Sequence, residues 1–422
     1  MRPRAAVAAA LILAVFTGLF LSTRRLQWDL KVYLLCSRTL ANGGDPYASM
    51  PVLDGVGYQC LYPPLATDLY RPFAAASDAW GREAGERLWA ALKVLSLFLM
   101  LWLWRRWVLR PGPDLPRVLF AAVAYGSPFW NDFRAGNASS FEHLVLWAGL
   151  AAFVAGKDLL FASLIAVAAQ PKLLPVAFLP LLLAQPKPRR RALLAGAVLA
   201  LLLFGLNEAA HPGLLKGFFR QLGDPSQPWR YERGPNNCSV VGFLQHVLET
   251  AWRDRNRASS WAMRLDVLWA AAVVSLTGLS LRRIIKDGGG EEDRRRRAMM
   301  LYIAAYALVV PRLKDYSFLL LIPPTIAALE TDAPLAARAA IVLFAALDST
   351  KALAETIGMG RWNILAGYFK LYAAVLVWAV LALEDPSGAG KGDAAVHRSG
   401  LAAAREGLVD ADAGRSTQRH QA

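Results

Sequence analysis

The sequence predicts an all-α protein, a polytopic bundle of membrane-spanning helices. Of its 422 residues, 55% are hydrophobic, and they occur in continuous blocks instead of the periodic stripes of a soluble helix. A spanning helix needs about 20 predominantly apolar residues, and fewer where aromatic residues and arginines anchor its ends. By this measure the chain holds about eleven or twelve candidate spans. A signal peptide before a soluble domain would give only one block, so residues 1–21 are predicted to form an uncleaved first span.

The basic residues indicate the direction of the spans. The formal net charge is +15, which by itself would suit a nucleic-acid-binding protein. The arginines and lysines, however, cluster in short loops between apolar blocks, within residues 105–117, 187–191 and 282–297. Cytoplasmic loops of membrane proteins carry such an excess of positive charge. We therefore interpret the clusters as topology markers and expect no nucleic-acid partner.

With the clusters placed inside, the amino-terminal half can be followed span by span. Arg2 and Arg4 hold the amino terminus inside, and a first span at 6–22 leads to an outer segment at 23–87. A surface helix is predicted at 30–41 within that segment, because its apolar residues lie on one face. The next spans are predicted at 88–104, 118–130 and 141–156.

A pair of short apolar segments follows, at 159–169 and 173–184, joined by Gln170-Pro171-Lys172. Each is too short to cross a bilayer comfortably. We predict either two short spans or a re-entrant hairpin, with the tip outside in both cases. This choice returns the chain to the inside at the 187–191 cluster, as the positive-inside rule requires.

The carboxy-terminal half continues in the same way. A span at 192–206 leads to a second outer segment, 207–260, and the following span returns to the 282–297 loop. Two helical pairs are then predicted, 299–310 with 316–329 and 339–347 with 364–383. Residues 1–383 are expected to form one transmembrane domain. The tail, 384–422, is rich in Gly, Ala, Asp and Arg and is expected to be a disordered cytoplasmic extension.

Polar residues at the predicted helix ends gather on the outer side of this topology. Charges so close to apolar spans are costly unless they face water, a partner or a ligand, so their convergence indicates one site. The polar segments are Trp28-Asp29, Asp45-Pro46-Tyr47, 131–137, 170–172, 236–239 and 312–316.

Each segment also has a purely structural explanation. Asp29 is well placed to cap the surface helix, and Asp45 with Pro46 is typical of a turn. The basic residues are able to anchor the chain to lipid headgroups instead of binding a substrate. These basic residues are Arg134, Lys172, Arg312 and Lys314.

The order of the outer segments resembles glycosyltransferase family 87, a family of the GT-C class of polyprenyl-phosphate-sugar-dependent membrane glycosyltransferases. The resemblance extends over roughly residues 20 to 330. Its motifs are Trp28-Asp-Leu-Lys-Val-Tyr33, Gly44-Asp-Pro-Tyr47, Leu61-Tyr-Pro-Pro-Leu65, Arg134-Ala-Gly-Asn-Ala-Ser139, Gln170-Pro-Lys172, Asn236-Asn-Cys-Ser-Val240 and Arg312-Leu-Lys-Asp-Tyr-Ser317. At Gly136-Asn137 the sequence departs from the Gly-Gln that many members carry.

The resemblance implies an extracytoplasmic reaction at a bacterial cytoplasmic membrane, with both termini in the cytoplasm. A hexose, mannose being the expected sugar, would pass from a polyprenyl-phosphate carrier to a lipid or glycan acceptor. Asp29 would be the general base, and Lys172 would be the main contact to the phosphate, with Arg134, Arg312 and Lys314 in support. The expected sugar or acceptor contacts are Tyr33, Asp45, Asn137 and Asn237.

No cofactor is predicted. Some GT-C enzymes use a divalent metal, but Asp29 and Asp45 stand alone, without a second carboxylate at a convincing spacing. Gly288-Gly-Gly290 lies in a charged loop, not after a strand, so it does not indicate a nucleotide-sugar site. The sequence does not determine the sugar, its linkage or the acceptor.

Two other functions compete with the transferase. A transporter or lipid flippase would carry mid-membrane charges and broken helices in corresponding halves, and only the Pro171 break is comparable. A catalytically inactive scaffold would keep the fold without the reaction.

The three cysteines, Cys36, Cys60 and Cys238, contain no CxxC pair, so neither a metal knuckle nor a redox motif is indicated. All three are expected in outer loops. There, a Cys60–Cys238 disulfide competes with three unpaired thiols.

Overall fold

The protein is an all-α membrane helix bundle, as the sequence predicts. The computed structural model describes residues 11, 14–15, 18, 27–48, 52–53, 56–111, 114–224, 237–286, 290–347 and 363–384. Most of the predicted first span and the expected tail after Glu384 lie outside these residues. Within the described residues, the β structure is one antiparallel hairpin of two short strands, β1 (Val52–Leu53) and β2 (Val56–Gly57), with two residues in each.

The helices before residue 170 build the surface layer over the site and the first half of the bundle. In chain order they are α1 (Trp28–Ala41), α2 (Pro64–Asp68), α3 (Arg71–Trp80), α4 (Arg82–Leu103) with a π-helical end (Trp104–Val108), α5 (Asp114–Val123), a 3-10 turn (Ala124–Gly126), α6 (Pro128–Ala135), α7 (Ser139–Val154) and α8 (Asp158–Ala168).

The helices after residue 170 complete the bundle. They are a 3-10 segment (Leu174–Leu182), α9 (Arg190–Ala210), α10 (Leu214–Gly223), α11 (Val240–Trp252), α12 (Arg255–Lys286), α13 (Glu291–Val309), a second 3-10 segment (Asp315–Leu321), α14 (Ile322–Leu329), α15 (Leu335–Ala346), α16 (Asn363–Ala366) and α17 (Phe369–Leu383).

The outer helices present apolar side chains to their surroundings. Leu201 on α9 and Leu268 on α12 are 70% and 67% exposed, among many exposed leucines and valines on these two helices. Such continuous apolar surface is abnormal for a soluble monomer and normal where lipid is the solvent. Among the described helices, three are long and apolar enough to cross a membrane, namely 83–108, α9 and α12, and five more are apolar but shorter.

The predicted third span, 118–130, is wrong as a continuous helix. The chain leaves the helix after Val123, passes through Tyr125 and Ser127 with positive φ, and resumes at Pro128. The Ser127 hydroxyl accepts a hydrogen bond from the Trp130 amide and so caps the new helix. The break redirects α6, which carries the 131–137 segment.

The hairpin around Gln170-Pro171-Lys172 is as long as its neighbour α7, because it reaches both ends of that helix. At its base, Asp158 pairs with Arg295 and Arg189, and Arg295 also donates to the carbonyl of Phe153 at the end of α7. At its tip, Lys172 reaches Ser139 at the start of α7. The hairpin therefore extends along the whole length of α7.

The basic clusters form ion pairs at the end of the bundle away from this tip. Arg110 binds Asp293 at 2.7 Å, and Arg117 binds Glu330 at 2.6 Å. The Arg110–Asp293 and Asp158–Arg295 pairs tie α13 to the segment before α5 and to the start of α8, and the Arg117–Glu330 pair joins α5 to the end of α14. The two ends of the bundle are therefore chemically different, with a basic ion-paired end opposite the hairpin tip.

The disulfide joins Cys36 to Cys60, with Cα atoms 6.0 Å apart. Both cysteine predictions are thus wrong: Cys238 is a buried thiol instead of the partner of Cys60, and Cys36 lies in α1, not in a loop. Because Cys36 is two turns after Asp29 on the same helix, the disulfide fixes α1 to the loop that begins at Leu61.

Candidate active site

Asp29 lies in the first turn of α1, as predicted, and faces a partner from a distant part of the chain. The Asn137 side-chain amide donates to Asp29 Oδ2 at 2.6 Å. Its neighbour Trp28 is 48% exposed, whereas Leu30 on the other side is fully buried. Leu30 therefore packs α1 against the protein, and the neighbouring Asp29 side chain stays partly exposed.

The turn that carries Asn137 depends on a glycine. Gly136 ends α6 with φ 68°, in the left-handed region that favours glycine. A Cβ at this position would lie 3.0 Å from Gln27 Cα, in the residue immediately before α1. Gly136 thus allows the two chain segments to touch, which brings Asn137 within reach of Asp29.

The orientation of the Asn137 amide is fixed by Ser139. Asn137 Oδ1 accepts from the Ser139 backbone amide at 2.9 Å and from the Ser139 hydroxyl at 2.7 Å. Because the oxygen already has two donors, the amide nitrogen is the group that points to Asp29. Asn137 was predicted to contact the sugar or acceptor. In the structure it contacts the predicted base.

A buried ion pair supports the turn from below. Lys93 on α4 lies 2.8 Å from the Asp132 carboxylate, and both side chains are almost completely buried. The same ammonium donates to the carbonyls of Asp132 and Asn137, and the Trp89 indole donates to the Gly136 carbonyl. These contacts hold the backbone of residues 132–137 rigidly under α1.

Lys172 meets the same network from the other side. Its ammonium donates to the Ser139 hydroxyl at 2.9 Å, lies 2.8 Å from Glu142 Oε2, and stands 5.4 Å from the centre of the Tyr316 ring. The predicted base and the predicted phosphate contact are therefore joined by a continuous chain of side chains. That chain is Asp29, Asn137, Ser139 and Lys172.

Burial raises the pKa of the Asp29 carboxyl above its ordinary value of 3.8. The hydrogen bond from Asn137 opposes this effect, and so do the positive charges of Lys314, Lys172 and Lys93. A carboxylate with a raised pKa is a stronger proton acceptor than an ordinary surface aspartate once it is ionised.

Aromatic residues of α1 and of the segment that follows it form a wall beside Asp29. The Tyr33 and Tyr62 hydroxyls are 2.8 Å apart, and the Tyr47 hydroxyl donates to the Tyr62 carbonyl at 2.6 Å. Asp45 accepts from the backbone amides of Tyr47 and Ala48, so one of its oxygens stabilises a turn. Tyr33 lies four residues after Asp29 on α1 and interacts with it electrostatically, whereas Asp45 supports the position of Tyr47.

A buried asparagine connects this loop to the hairpin tip. Asn207, near the end of α9, accepts from the Leu65 backbone amide at 2.9 Å and points its amide nitrogen to Gln170. The Leu61–Leu65 segment and the 170–172 tip therefore have a common support. Sequence reasoning did not single out Asn207, since it reads as an ordinary polar residue at the end of a span.

Asn237 joins two other predicted segments. Its side-chain oxygen accepts from the Leu313 amide at 3.0 Å, and the Cys238 amide donates to the Leu313 carbonyl at 2.9 Å. Farther along the same loop, Asp315 pairs with the buried Lys370 of α17 at 2.6 Å. Asn237 is only 5% exposed, so it positions the 311–314 loop and offers little surface to a ligand.

The other predicted cations lie on α6 and on the loop after α13. Lys314 is near enough to Asp29 to lower its pKa, and Arg312 lies two residues earlier on the same loop. Arg134 is exposed on the last turn of α6, three residues before Asn137. Lys314 and Lys172 thus act on Asp29 electrostatically, and Lys172 also contacts Ser139 and Glu142, at 2.9 and 2.8 Å.

Ser139 and Glu142 are the site residues that sequence reasoning missed. Ser139 stood within the 134–139 motif but had no role assigned, and Glu142 read as an acidic residue in the first turn of a helix. Their part in the site depends on Lys172, which is remote in sequence. Among the described residues, no group of three or more His, Cys, Asp or Glu is arranged to hold a metal ion.

These features define a polytopic membrane protein with one polar site at one end of its bundle. A family model described as Glycosyltransferase family 87 matches residues 61–311, more than half of the chain. The protein is therefore a membrane glycosyltransferase, and the chain belongs to glycosyltransferase family 87. The matched range includes Asn137, Ser139 and Lys172 and begins after Asp29. No curated protein matches the chain significantly.

Proposed function

We propose that the protein transfers a hexose, with mannose as the first candidate, from a polyprenyl-phosphate carrier to a lipid or glycan acceptor. The observation that carries this proposal is the link from Asp29 to Lys172 through Asn137 and Ser139. A carboxylate and an ammonium linked by two side chains support a proposal in which Asp29 is the base and Lys172 the phosphate contact. The phosphate of a lipid-linked donor lies at the membrane surface. The site therefore fits the reaction of the GT-C class, which uses such donors.

The chemistry assigns a role to each end of the network. The acceptor oxygen forms a bond to the anomeric carbon, and the bond from that carbon to the phosphate oxygen breaks. Asp29 takes the proton of the acceptor hydroxyl and becomes neutral. The lipid phosphate leaves with one more negative charge, which a nearby cation stabilises as it develops.

Lys172 is the proposed phosphate contact, because its ammonium is already positioned by Ser139, Glu142 and the Tyr316 ring. Lys314, Arg312 and Arg134 are proposed to add charge around the donor headgroup. Tyr33 and Trp28 border Asp29 and are proposed to contact the sugar or the acceptor. Asp45 and Asn237 act by holding the loops that carry Tyr47 and Lys314.

The disulfide supports an extracytoplasmic site. Disulfides persist in oxidising compartments and are rare in the cytosol, and Cys36 lies on the helix that carries Asp29. The basic ion pairs at the opposite end fit the cytoplasmic side. We therefore propose a bacterial cytoplasmic membrane, with both termini inside and the reaction outside.

The test is Asp29→Asn, assayed with polyprenyl-phosphate-mannose and mixed lipid acceptors. Asparagine retains the shape but cannot accept the proton, so we expect a loss of about 100-fold or more in kcat. Asp78→Asn removes an exposed carboxylate that pairs with Arg38 and is the matched control, expected to behave as wild type. Normal activity of Asp29→Asn would contradict the assignment of the base. Purified wild-type protein that transfers no hexose would favour a transporter or an inactive scaffold.

A further inference from the structure

The Lys172 ammonium already has a counter-ion inside the protein. Glu142 Oε2 lies 2.8 Å from Lys172 Nζ, and the Glu142 side chain is only 10% exposed. Glu142 stands three residues after Ser139 on α7, and Ser139 is the second ligand of the same ammonium. A carboxylate is thus fixed against the cation proposed to bind the lipid phosphate.

Two anions that share one ammonium repel each other, and the repulsion is larger in a partly buried site than in water. The helix holds Glu142 in place, since its backbone lies within α7 and its side chain is nearly covered. A phosphate that arrives at Lys172 therefore finds the Glu142 carboxylate beside it. Any phosphate at Lys172 has to compete with it.

This competition depends on the charge of the phosphate. The donor is a phosphodiester with one negative charge, whereas the released lipid phosphate carries up to two. The attraction of a lone lysine grows in proportion to that charge, so Lys172 alone would hold the product more tightly than the donor. A carboxylate beside Lys172 cancels much of this preference.

We propose that Glu142 is the built-in counter-ion of Lys172. Glu142 pairs again with the Lys172 ammonium as the product leaves, and so it prevents the released lipid phosphate from inhibiting the enzyme. This inference rests on the proposed function. Lys172 passes from Glu142 to the phosphate as the bond to the anomeric carbon breaks, and it returns to Glu142 when the phosphate departs. Glu142 acts through Lys172 and is a positioning residue.

The position of Tyr70 agrees with this arrangement. Burial raises the pKa of the Tyr70 hydroxyl, and the charges of Glu142 and Asp29 raise it further. The Tyr70 hydroxyl therefore interacts electrostatically with both carboxylates. Tyr70 also stacks on Tyr33 with ring centres 4.6 Å apart, so the aromatic wall extends from Asp29 towards Glu142.

The test compares Glu142→Gln with wild type, using farnesyl phosphate as a soluble lipid phosphate. Glutamine keeps an oxygen for Lys172 and removes the charge. We expect purified Glu142→Gln protein to bind farnesyl phosphate about tenfold more tightly by calorimetry, which corresponds to about 1.4 kcal/mol. We also expect kcat and the donor KM to fall together, because product release becomes slower.

Two controls separate charge from packing. Glu83→Gln removes an exposed carboxylate that pairs with Arg87 at the start of α4, and we expect it to bind farnesyl phosphate as wild type does. Glu142→Asp keeps the charge with a shorter side chain and should bind close to wild type. Unchanged or weaker binding by Glu142→Gln overturns the proposal, and so does equally tight binding by Glu142→Asp.

The outcome is separable from that of the proposed function. Hexose transfer by the wild type is measured in its own assay, and its absence overturns the transferase reaction. The order of the farnesyl phosphate affinities among the variants decides the role of Glu142 whether or not transfer is seen.

Discussion

Asn137 is held on three sides, and this determines what it does to Asp29. Ser139 occupies its side-chain oxygen with two donors, Lys93 binds its carbonyl, and its amide nitrogen reaches Asp29. A donor to the carboxylate favours the charged form, whereas burial favours the neutral one. The pKa of Asp29 is raised because burial outweighs the hydrogen bond and the surrounding lysines.

Removal of this donor should move the pH profile of the reaction. The base works when Asp29 is deprotonated, so the acid limb of kcat/KM follows its pKa. Asn137→Ala removes an effect that lowers the pKa, and we expect the limb to move to higher pH by about one unit. Asn131→Ala, which removes a donor to the Gly126 carbonyl, should leave the limb in place. A limb that stays fixed in Asn137→Ala would mean that the hydrogen bond does not tune the base.

Among the elements, the contact between α1 and the end of α6 matters most for the site. Gly136 lies where a Cβ would touch the Gln27 backbone at 3.0 Å. The disulfide holds α1 to the following loop, and Lys93 holds residues 132–137. Both partners are therefore fixed independently, and a small separation between them would break the Asp29–Asn137 contact.

Gly136→Ala tests this contact against a matched glycine. Gly136 and Gly156 both have positive φ, but a Cβ at Gly156 meets nothing within 4 Å. Alanine at either position should cost about 1 kcal/mol of stability from backbone strain. We expect only Gly136→Ala to lose activity as well, by about tenfold or more, because α1 must shift. Thermal unfolding and transfer assays on both variants provide the measurement, and equal activities would contradict the prediction.

A comparison of the predicted and observed helices shows how much of the fold follows from the sequence. The helix predicted at 30–41 and the long apolar helices follow from apolar periodicity and block length, and the structure confirms that these segments are helical. The break at residues 124–127 was missed, although Gly126-Ser127-Pro128 is a helix-breaking signal. The disulfide was assigned wrongly, because spacing along the chain does not reveal that a helical turn brings Cys36 to Cys60.

For the site, the sequence indicated which segments converge but not how their side chains pair. Asp29 and Lys172 were noted as polar residues at the ends of apolar blocks, and the family resemblance supplied their expected roles. The Lys172–Glu142 and Lys93–Asp132 pairs were not, because each joins helices whose relative rotation depends on packing across the bundle. Tertiary contacts of this kind leave no local sequence pattern.

At the scale of the whole molecule, the two ends of the bundle differ in chemistry. One end carries the disulfide, Asp29 and Lys172, and the other carries the Arg110–Asp293 and Asp158–Arg295 ion pairs. Helix α7 runs between them from Ser139 to Val154. A membrane around this bundle would separate the two ends.

Labelling in intact cells tests this polarity. We expect Arg134→Cys to react with a membrane-impermeant maleimide and Lys187→Cys to react only after the cells are opened, because both positions are exposed but lie at opposite ends. The native cysteines are poor targets, since Cys36 and Cys60 form the disulfide and Cys238 is buried. Labelling of Lys187→Cys in intact cells would reverse the proposed orientation.

The buried pair of Lys93 and Asp132 also constrains how the chain enters the membrane during synthesis. Lys93 lies near the middle of the 83–108 helix, where an isolated lysine costs an inserting segment about 3 kcal/mol. Its counter-charge emerges from the ribosome 39 residues later. We therefore expect the two segments to enter the lipid together, because each charge then neutralises the other as it inserts.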